Sequence, residues 1–124
     1  MGKRETGALG EQIAAQFLRN KGFKIMEFNY RKPWGEVDIV AEKGNCTHFV
    51  EVKTVSRENG YNGSREKTYQ PEEMAHSSKL KKVARTAELY MTNKGDKDYQ
   101  IDVVAVILDQ KTRTARCRFY EQVL

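Results

Sequence analysis

Residues 35–53 constrain this chain most, because they form two alternating arms joined by a short polar break. Apolar and polar residues alternate in both arms, which is the two-residue period of a half-buried β-strand. A turn at residues 44–45 would pair Lys43 with Cys46 and align the apolar residues of the two arms on common faces. A slip of one residue would scatter those apolar sets, whereas a slip of two would keep the faces, so the pattern predicts a β-hairpin and favours this register.

This register brings two acidic residues onto neighbouring strands. Asp38 is predicted to face Glu51, with Lys53 two residues further along the same face, while Val37 and Ile39 share the opposite face. Directly opposed side chains have Cβ atoms about 4.5–5.5 Å apart. Carboxylates held that close repel each other unless a cation lies between them, so the hairpin points to a charge arrangement that needs a partner.

A first helix is predicted over residues 6–21, with Thr6 as its N-cap and Gly22 as its stop. Laid out at about 100° per residue, one continuous arc carries an apolar stripe together with Glu11. A solvated glutamate and a functional acid are both compatible with that position. The arc consists of Ala8, Glu11, Ile13, Ala14, Ala15, Phe17 and Leu18.

The rest of the chain completes one α/β domain over residues 1–124. Besides the hairpin, strands are predicted over residues 23–31, 99–108 and 114–120. The run from Val103 is continuously apolar, as in a strand covered on both faces. A second helix, starting near Pro71 or at a second cap such as Ser78, connects the third strand to the fourth. The order αβββαββ therefore predicts a mixed β-sheet flanked by helices.

Basic residues cluster in the predicted flexible loop at about residues 55–70 and in the second helix. The loop interleaves cations with tyrosines, a composition that suits phosphates and bases, although a solvated loop needs no such role. In the helix, a solvated polar face and a phosphate-binding face are both open interpretations. The candidate nucleic-acid-binding residues are Arg57, Arg65, Lys67, Lys79, Lys82 and Arg85.

The composition narrows the class of protein. A net charge of +5 and a pI near 9.2 suit a polyanionic partner, although many soluble proteins are this basic. Cys46 and Cys117 have no CxxC spacing and predict two free thiols in a reducing cytosol. The longest apolar run, residues 103–108, is too short to span a bilayer, and the first residues lack a secretory h-region. We therefore expect a soluble, cytoplasmic protein without a membrane partner.

The fold order would allow Glu11 to approach Asp38 and Glu51 beside Lys53. Two carboxylates, a backbone carbonyl such as that of Val52 and a phosphate oxygen suit Mg²⁺ or Mn²⁺, which prefer hard oxygen ligands. A metal with a nearby lysine serves phosphodiester hydrolysis.

Other chemistries have less support in the sequence. Zinc is disfavoured because neither histidine has a second ligand at a suitable spacing. His48, opposite Ala41, is predicted to be structural. Trp34 is either a core anchor, which is the commoner role, or a surface aromatic beside the site. No nucleophile with an adjacent base is present for covalent catalysis.

Asp38 followed by Glu51-Val52-Lys53 resembles the PD-(D/E)xK nuclease signature. Further residues extend the likeness over nearly the whole chain, and together they are similar to the small bacterial YraN-like family of endonucleases, related to archaeal Holliday-junction resolvases. These residues are Gly10-Glu11, Asn29, Arg31, Gly35-Glu36-Val37-Asp38, Phe49-Val50, Ser78-Lys79, Ala87, Tyr90 and Asp102-Val103-Val104.

The resemblance implies a restriction-endonuclease-like fold and Mg²⁺- or Mn²⁺-dependent cleavage of DNA, including branched or recombination intermediates. It implies that Asp38 and Glu51 bind the metal, Lys53 is the catalytic lysine, Glu11 is a further acid near the metal and Lys79 contacts the substrate. It also implies a homodimer, because junction resolvases cut two strands. Two other functions stay open: a nucleic-acid-binding module without turnover and a protein-interaction domain.

Two departures from the family pattern are visible in the sequence. Val37 stands where the motif has proline, a relaxation that the family commonly shows. Gln100-Ile101 precedes Asp102 where the family often has Arg-Phe, which weakens a binding role for that end of the strand.

Overall fold

A computed structural model of the chain describes residues 2–57 and 78–124, apart from the side chains of Lys3 and Arg57. Within those residues, the elements follow the predicted order αβββαββ. None of the helices in these two stretches is long and apolar enough to cross a membrane. The elements are α1 (Lys3–Asn20), β1 (Lys24–Lys32), β2 (Gly35–Lys43), β3 (Cys46–Arg57), α2 (Ser78–Met91), β4 (Asp98–Asp109) and β5 (Thr114–Tyr120).

The five strands form one mixed sheet in the order β1-β2-β3-β4-β5. Neighbouring strands are antiparallel except β3 and β4, which are parallel, as expected for strands joined by a connection that includes a helix. The hairpin register is confirmed from the Lys43–Cys46 pair to the Ile39–Val50 pair. The apolar alternation together with a turn at residues 44–45 therefore identified the pairing of this part of the hairpin.

Both faces of the sheet are covered by a helix. On one face, α2 packs Leu80, Val83 and Ala87 against a cluster that includes Phe49 and Val103. On the other face, α1 packs Ala14, Ala15 and Leu18 against a cluster that includes Val50 and Val104. Strand β4 contributes to both clusters, which confirms the prediction from its continuous apolar run. This mixed α/β arrangement is consistent with a restriction-endonuclease-like fold.

Helix α1 begins three residues before the predicted cap. Gly2 is the N-cap, and its carbonyl accepts a hydrogen bond from the Thr6 amide, so Thr6 lies inside the helix. The prediction from the capping propensity of Thr6 was wrong because Lys3, Arg4 and Glu5 are themselves compatible with a helix. Ala8, predicted to be on the packed arc, is exposed because the start of the helix extends past the core.

Strand β3 continues beyond the start of the predicted loop. It pairs with β4 residue by residue as far as the Arg57–Asp109 pair, so residues 55–57 are strand. The polar character of that stretch suggested a loop, but pairing with a buried parallel neighbour overrides local propensity. Arg65 and Lys67, together with the rest of the predicted loop and the possible helix start at Pro71, lie outside the described residues.

Trp34 is a surface aromatic and not the core anchor that was the favoured of its two predicted roles. It lies in the turn between β1 and β2 with 42% of its surface exposed. The following residue explains the geometry, because a Cβ atom at Gly35 would lie 2.5 Å from Thr86 Oγ1 and 3.1 Å from the Lys82 carbonyl of α2. The backbone packs directly against the helix there, and the indole of Trp34 lies at the surface.

His48 has the structural role that its position predicted. It lies opposite Ala41 and is almost fully buried, with its Nδ1 atom 2.6 Å from Asp102 Oδ2. The other oxygen of Asp102 accepts hydrogen bonds from the Gln100 side chain and the Gln122 amide. Asp102 is fully buried and satisfied by these partners, so it links β3, β4 and the segment after β5.

The two cysteines are free thiols, as predicted. Burial is the largest cause that raises the pKa of both Cys46 and Cys117, so neither thiol is activated as a thiolate.

Gly10 sets the distance between α1 and β3. A side chain at this position would overlap Thr54 Oγ1, and its Cβ atom would lie only 2.9 Å from Thr54 Cβ. The helix therefore approaches the sheet more closely than any residue with a side chain would allow. Glu11 follows directly, so this contact positions its carboxylate relative to β2 and β3.

We expect Gly10→Ala to destabilise the fold by about 2–3 kcal/mol, because the added methyl group must push α1 away from Thr54. Gly7→Ala is the matched control, since a Cβ atom there meets nothing within 4 Å. That substitution should be stabilising by up to about 1 kcal/mol through helix propensity. Chemical denaturation of both variants measures the difference, and equal stabilities would contradict the close contact.

Candidate functional site

Asp38 lies where the pairing between β2 and β3 ends. The ladder between these strands runs from Lys43–Cys46 to Ile39–Val50 and does not continue to the expected Asp38–Glu51 pair. Instead, Asp38 Oδ2 accepts a hydrogen bond of 2.8 Å from the Val52 amide. The carboxylate thus takes the place of a backbone acceptor, and the prediction of a regular strand pair at this position was wrong.

The alternation of β2 also changes at Asp38. Val37 was predicted to share a face with Ile39, but it packs in the α2-side cluster with Val40, while Ile39 lies in the α1-side cluster. Because Val37 and Ile39 are two positions apart, a regular strand would place them on the same face. Asp38 therefore sits at an irregular point of the sheet, where its carboxylate lies between β2 and β3.

Strand β1 is irregular at the same level. Asn29 lies between Phe28, which pairs with Ile39, and Tyr30, which pairs with Val37, and it has a φ of 48°. That left-handed conformation is unfavourable for most residues but accessible to asparagine. A strained residue in the middle of a strand frequently marks a functional site. Here it accompanies an interaction of Asn29 with Glu11 that lowers the pKa of that carboxyl group.

Glu51 is the most unusual charged residue in the described chain. It is 1% exposed, and neither of its oxygens has a well-aligned hydrogen bond within the described residues. Its one ion pair there is with Lys79, whose Nζ atom lies 3.0 Å from Oε1. Buried carboxylates are normally satisfied by several donors, so Glu51 retains unused capacity to accept a cation or a proton.

The surroundings of Glu51 favour its neutral form. Burial, followed by the contact with Asp38 and the charge of that carboxylate, raises the pKa of Glu51 from 4.5 to about 8, although Lys79 offsets part of the effect. Desolvation disfavours a charged group and a second carboxylate adds repulsion. The two acids that the sequence placed together are thus in contact, although not as a regular cross-strand pair.

Lys79 is the second residue of α2, and 48% of its side chain is exposed. Burial lowers its pKa, but the contact with Glu51 and the charge of Asp38 outweigh this and raise the pKa overall. Lys79, Lys82 and Arg85 follow at intervals of three residues along the exposed part of α2. These three residues form a basic row on the protein surface, and its first member contacts the buried Glu51.

Glu11 reaches the site from the other side of the sheet. It is half-buried on α1, and its pKa is raised by burial first and by the charge of Asp38 second. Asn29, Arg31 and Lys79 act in the opposite direction. Asp38 therefore interacts with an acid from each face of the sheet, with Glu11 on one side and Glu51 on the other.

The remaining predicted site residues occupy β3. Lys53 is half-buried two residues after Glu51, so the period of the strand directs it to the same face. Val52 donates its amide to Asp38, and because the N–H and C=O of one strand residue point to the same edge, its carbonyl faces the same gap. Arg57 ends β3, and its side chain lies outside the description.

The donor set fits a hard divalent cation better than zinc. Among residues 2–57 and 78–124, no group of three His, Cys, Asp or Glu side chains is arranged to hold a metal ion. Mg²⁺ commonly uses one or two carboxylates and keeps several waters, so Asp38 and Glu51 could serve as its protein ligands. The buried, unsatisfied oxygens of Glu51 are the observation that supports such a ligand. His48, a potential zinc ligand, is already engaged by Asp102.

Three features of the site were not assigned a role from the residues alone: Asn29, Thr54 and the ion pair of Lys79 with Glu51. A single asparagine in a strand pattern gives no sign of a positive φ. The contact between Gly10 and Thr54 depends on how a helix crosses a sheet. Gly10 in an otherwise regular helical pattern was the signal that could have suggested a close approach.

The protonation of Glu51 predicts a pH-dependent stability for the metal-free protein. The pKa of this carboxyl is 4.5 in an ordinary environment and about 8 in the folded protein. Its contribution to the stability of the fold is therefore complete below pH 4.5 and is lost as the pH rises to about 8. Glu51→Gln mimics the protonated acid and cannot ionise. Its stability relative to the parent should therefore increase by up to about 1.4 kcal/mol per pH unit across this window.

Chemical denaturation at several pH values measures this difference. Glu88→Gln is the matched control, because Glu88 is an exposed glutamate of α2. A constant difference between Glu51→Gln and the parent from acidic to alkaline pH would contradict a buried, protonated Glu51.

Relatives of this chain are similar over most of their length. A family model described as uncharacterised protein family UPF0102 matches residues 10–106. A UPF0102 protein of Dictyoglomus thermophilum is 39% identical over 112 residues, covering 89% of this chain and 88% of the relative. One from Dictyoglomus turgidum is 37% identical, covering 90% and 89%. One from Campylobacter lari is 36% identical, covering 83% and 84%.

The family match includes Glu11, Asp38, Glu51, Lys53 and Lys79, since all of them lie between residues 10 and 106. The family match therefore supports the resemblance of this sequence to the YraN-like family. On the strength of this match and of the relatives, the chain belongs to the UPF0102 family.

Proposed function

We propose that this protein is a nuclease of the PD-(D/E)xK type that uses Mg²⁺ or Mn²⁺ to hydrolyse phosphodiester bonds in DNA, including branched or recombination intermediates. One observation carries the proposal: Glu51 is buried against Asp38, and its oxygens have no well-aligned hydrogen bond in the described chain. Burying a carboxylate in this way is unfavourable. A site that binds a cation gives the arrangement a use.

Asp38, Glu51 and the Val52 carbonyl are the groups proposed to hold the metal. A bound divalent cation would supply Lewis acidity, a more acidic water and charge stabilisation of the transition state. Metal binding requires the ionised carboxylate, so the proton favoured on Glu51 near neutral pH must leave first. The contact between the two acids then changes from a repulsion into a shared ligand set.

Lys53 is proposed as the catalytic lysine. It follows Glu51 by two residues on the same face of β3, and its ammonium group can orient a water or stabilise negative charge on a phosphate oxygen. Glu11 is proposed as an auxiliary acid, since burial and the charge of Asp38 raise the pKa of its carboxyl group and favour its holding a proton. Asn29 interacts with the Glu11 carboxylate and would help to keep it in position.

DNA is the proposed partner, with the phosphate backbone bound by Lys79, Lys82 and Arg85 of α2. These residues are exposed and spaced by three positions, and the first of them, Lys79, contacts Glu51. Arg57 is an additional candidate at the end of β3, and Arg65 and Lys67 remain proposals from the sequence. Phosphate contacts by lysine and arginine give affinity without base specificity. Cleavage of both strands of a branched substrate would require a homodimer.

A nucleic-acid-binding module without turnover is the second candidate. It is favoured by the ion pair between Lys79 and Glu51, because that lysine partly occupies the position of a metal. In this case, the acidic pair would anchor the start of α2, and binding would rely on the basic row alone. Such a module would show salt-dependent DNA affinity that EDTA does not change.

The test is cleavage of labelled flap, four-way-junction and single-stranded DNA with Mg²⁺ or Mn²⁺. The parent protein should cut at least one of these substrates. Asp38→Asn and Glu51→Gln should reduce the rate by at least about 100-fold, because each removes a group that stabilises the transition state. Lys53→Met should lower turnover while metal binding persists.

Glu88→Gln serves as the control for the loss of a carboxylate, since Glu88 is exposed on α2 and remote from the proposed ligands in sequence. It should cut like the parent. A parent protein that cuts nothing in this panel, or an Asp38→Asn variant as active as the parent, would rule out the nuclease. DNA binding that persists in EDTA without cleavage would then favour the binding module.

A further inference from the structure

Lys79 is held in a place that is unfavourable for a cation on its own. It belongs to the first turn of α2, where the helix dipole is positive, and that turn has no acidic residue of its own. Nevertheless, its Nζ atom lies 3.0 Å from Glu51 Oε1, below the start of the helix. The attraction to the buried carboxylate, with Asp38 nearby, accounts for this position.

The same oxygen is needed for metal binding. Oε1 and Oε2 of Glu51 are both buried, and the described residues offer neither of them a well-aligned hydrogen bond. A divalent cation between Asp38 and Glu51 would therefore lie close to the ammonium group of Lys79. Two cations near one carboxylate repel each other strongly at low solvent exposure. They compete for the same position.

Lys79 is also free to move outwards. Its side chain is 48% exposed, whereas the side chain of Glu51 is 1% exposed, so the lysine can swing into solvent while the glutamate cannot. Along the same helix, Lys82 and Arg85 are also exposed cations. A lysine released from Glu51 would therefore join an existing basic row.

We propose that Lys79 is the resident counterion of the Asp38–Glu51 pair, that a divalent cation displaces it, and that the released ammonium group then contacts a DNA phosphate. This rests on the proposed function, because it assigns the metal to Asp38 and Glu51. The ammonium group of Lys79 would allow the metal-free protein to fold with this pair of acids buried. It also links metal binding to DNA affinity, because the site exchanges an internal ion pair for a cation that faces the substrate.

Metal affinity provides the direct test, measured by calorimetric titration of Mn²⁺ into metal-free protein. Lys79→Met keeps most of the aliphatic stem but removes the competing charge, so Mn²⁺ should bind about tenfold more tightly than to the parent. Lys79→Arg retains a cation and should stay close to the parent affinity. Lys81→Met is the matched control, because it removes one exposed charge from the same helix.

The outcomes separate this inference from the proposed function. Unchanged or weaker Mn²⁺ binding by Lys79→Met, in a parent that does bind Mn²⁺, would overturn the counterion role alone. Tighter binding in Lys79→Met but equally in Lys81→Met would also overturn it, since the effect would be one of net charge. No Mn²⁺ binding by the parent or by Lys79→Met would overturn the metal site and the counterion role together.

The phosphate contact is tested in a Lys53→Met background, which keeps both carboxylates but lacks the lysine proposed for turnover. Fluorescence anisotropy should show DNA affinity rising when Mn²⁺ is added. Adding Lys79→Met should shrink that rise, because the released ammonium group is missing. An equal rise in both proteins would overturn the contact between Lys79 and DNA.

Discussion

The hydrogen bond from the Val52 amide to the Asp38 carboxylate is the interaction on which the candidate site depends. It replaces a rung of the β2–β3 ladder at the point where the backbone pairing ends. A carboxylate is thereby fixed between two strands of the sheet, within reach of Glu51 on one face and Glu11 on the other. Regular pairing at this position would have left Asp38 on one face only.

The fold supports this irregular point from both sides. Gly10 allows α1 to lie directly on Thr54 of β3, which brings Glu11 close to the sheet, and Gly35 allows β2 to approach α2. The two helices therefore deliver groups of opposite charge, an acid from α1 and the amine of Lys79 from α2. Two apolar clusters of the sheet hold these helices in place, so the site is supported by the core itself.

The order of elements, the hairpin register and the buried strand β4 could be predicted from the sequence, because each depends on a periodic apolar pattern. The register also placed Asp38 beside Glu51, although not as the regular pair expected, and the order of elements left open an approach of Glu11 that depends on how α1 crosses the sheet. The end of the ladder at Asp38, the positive φ of Asn29 and the pairing of Lys79 with Glu51 could not be predicted. These depend on competition between side-chain and backbone acceptors and on three-dimensional packing.

The most direct test of the account is a crystal of the protein soaked in Mn²⁺, with the metal located by its anomalous scattering. We expect a single main peak bonded to an Asp38 oxygen and a Glu51 oxygen, with the Lys79 side chain moved away from Glu51. A crystal without a peak between these carboxylates, in which Lys79 still contacts Glu51 Oε1, would contradict the account.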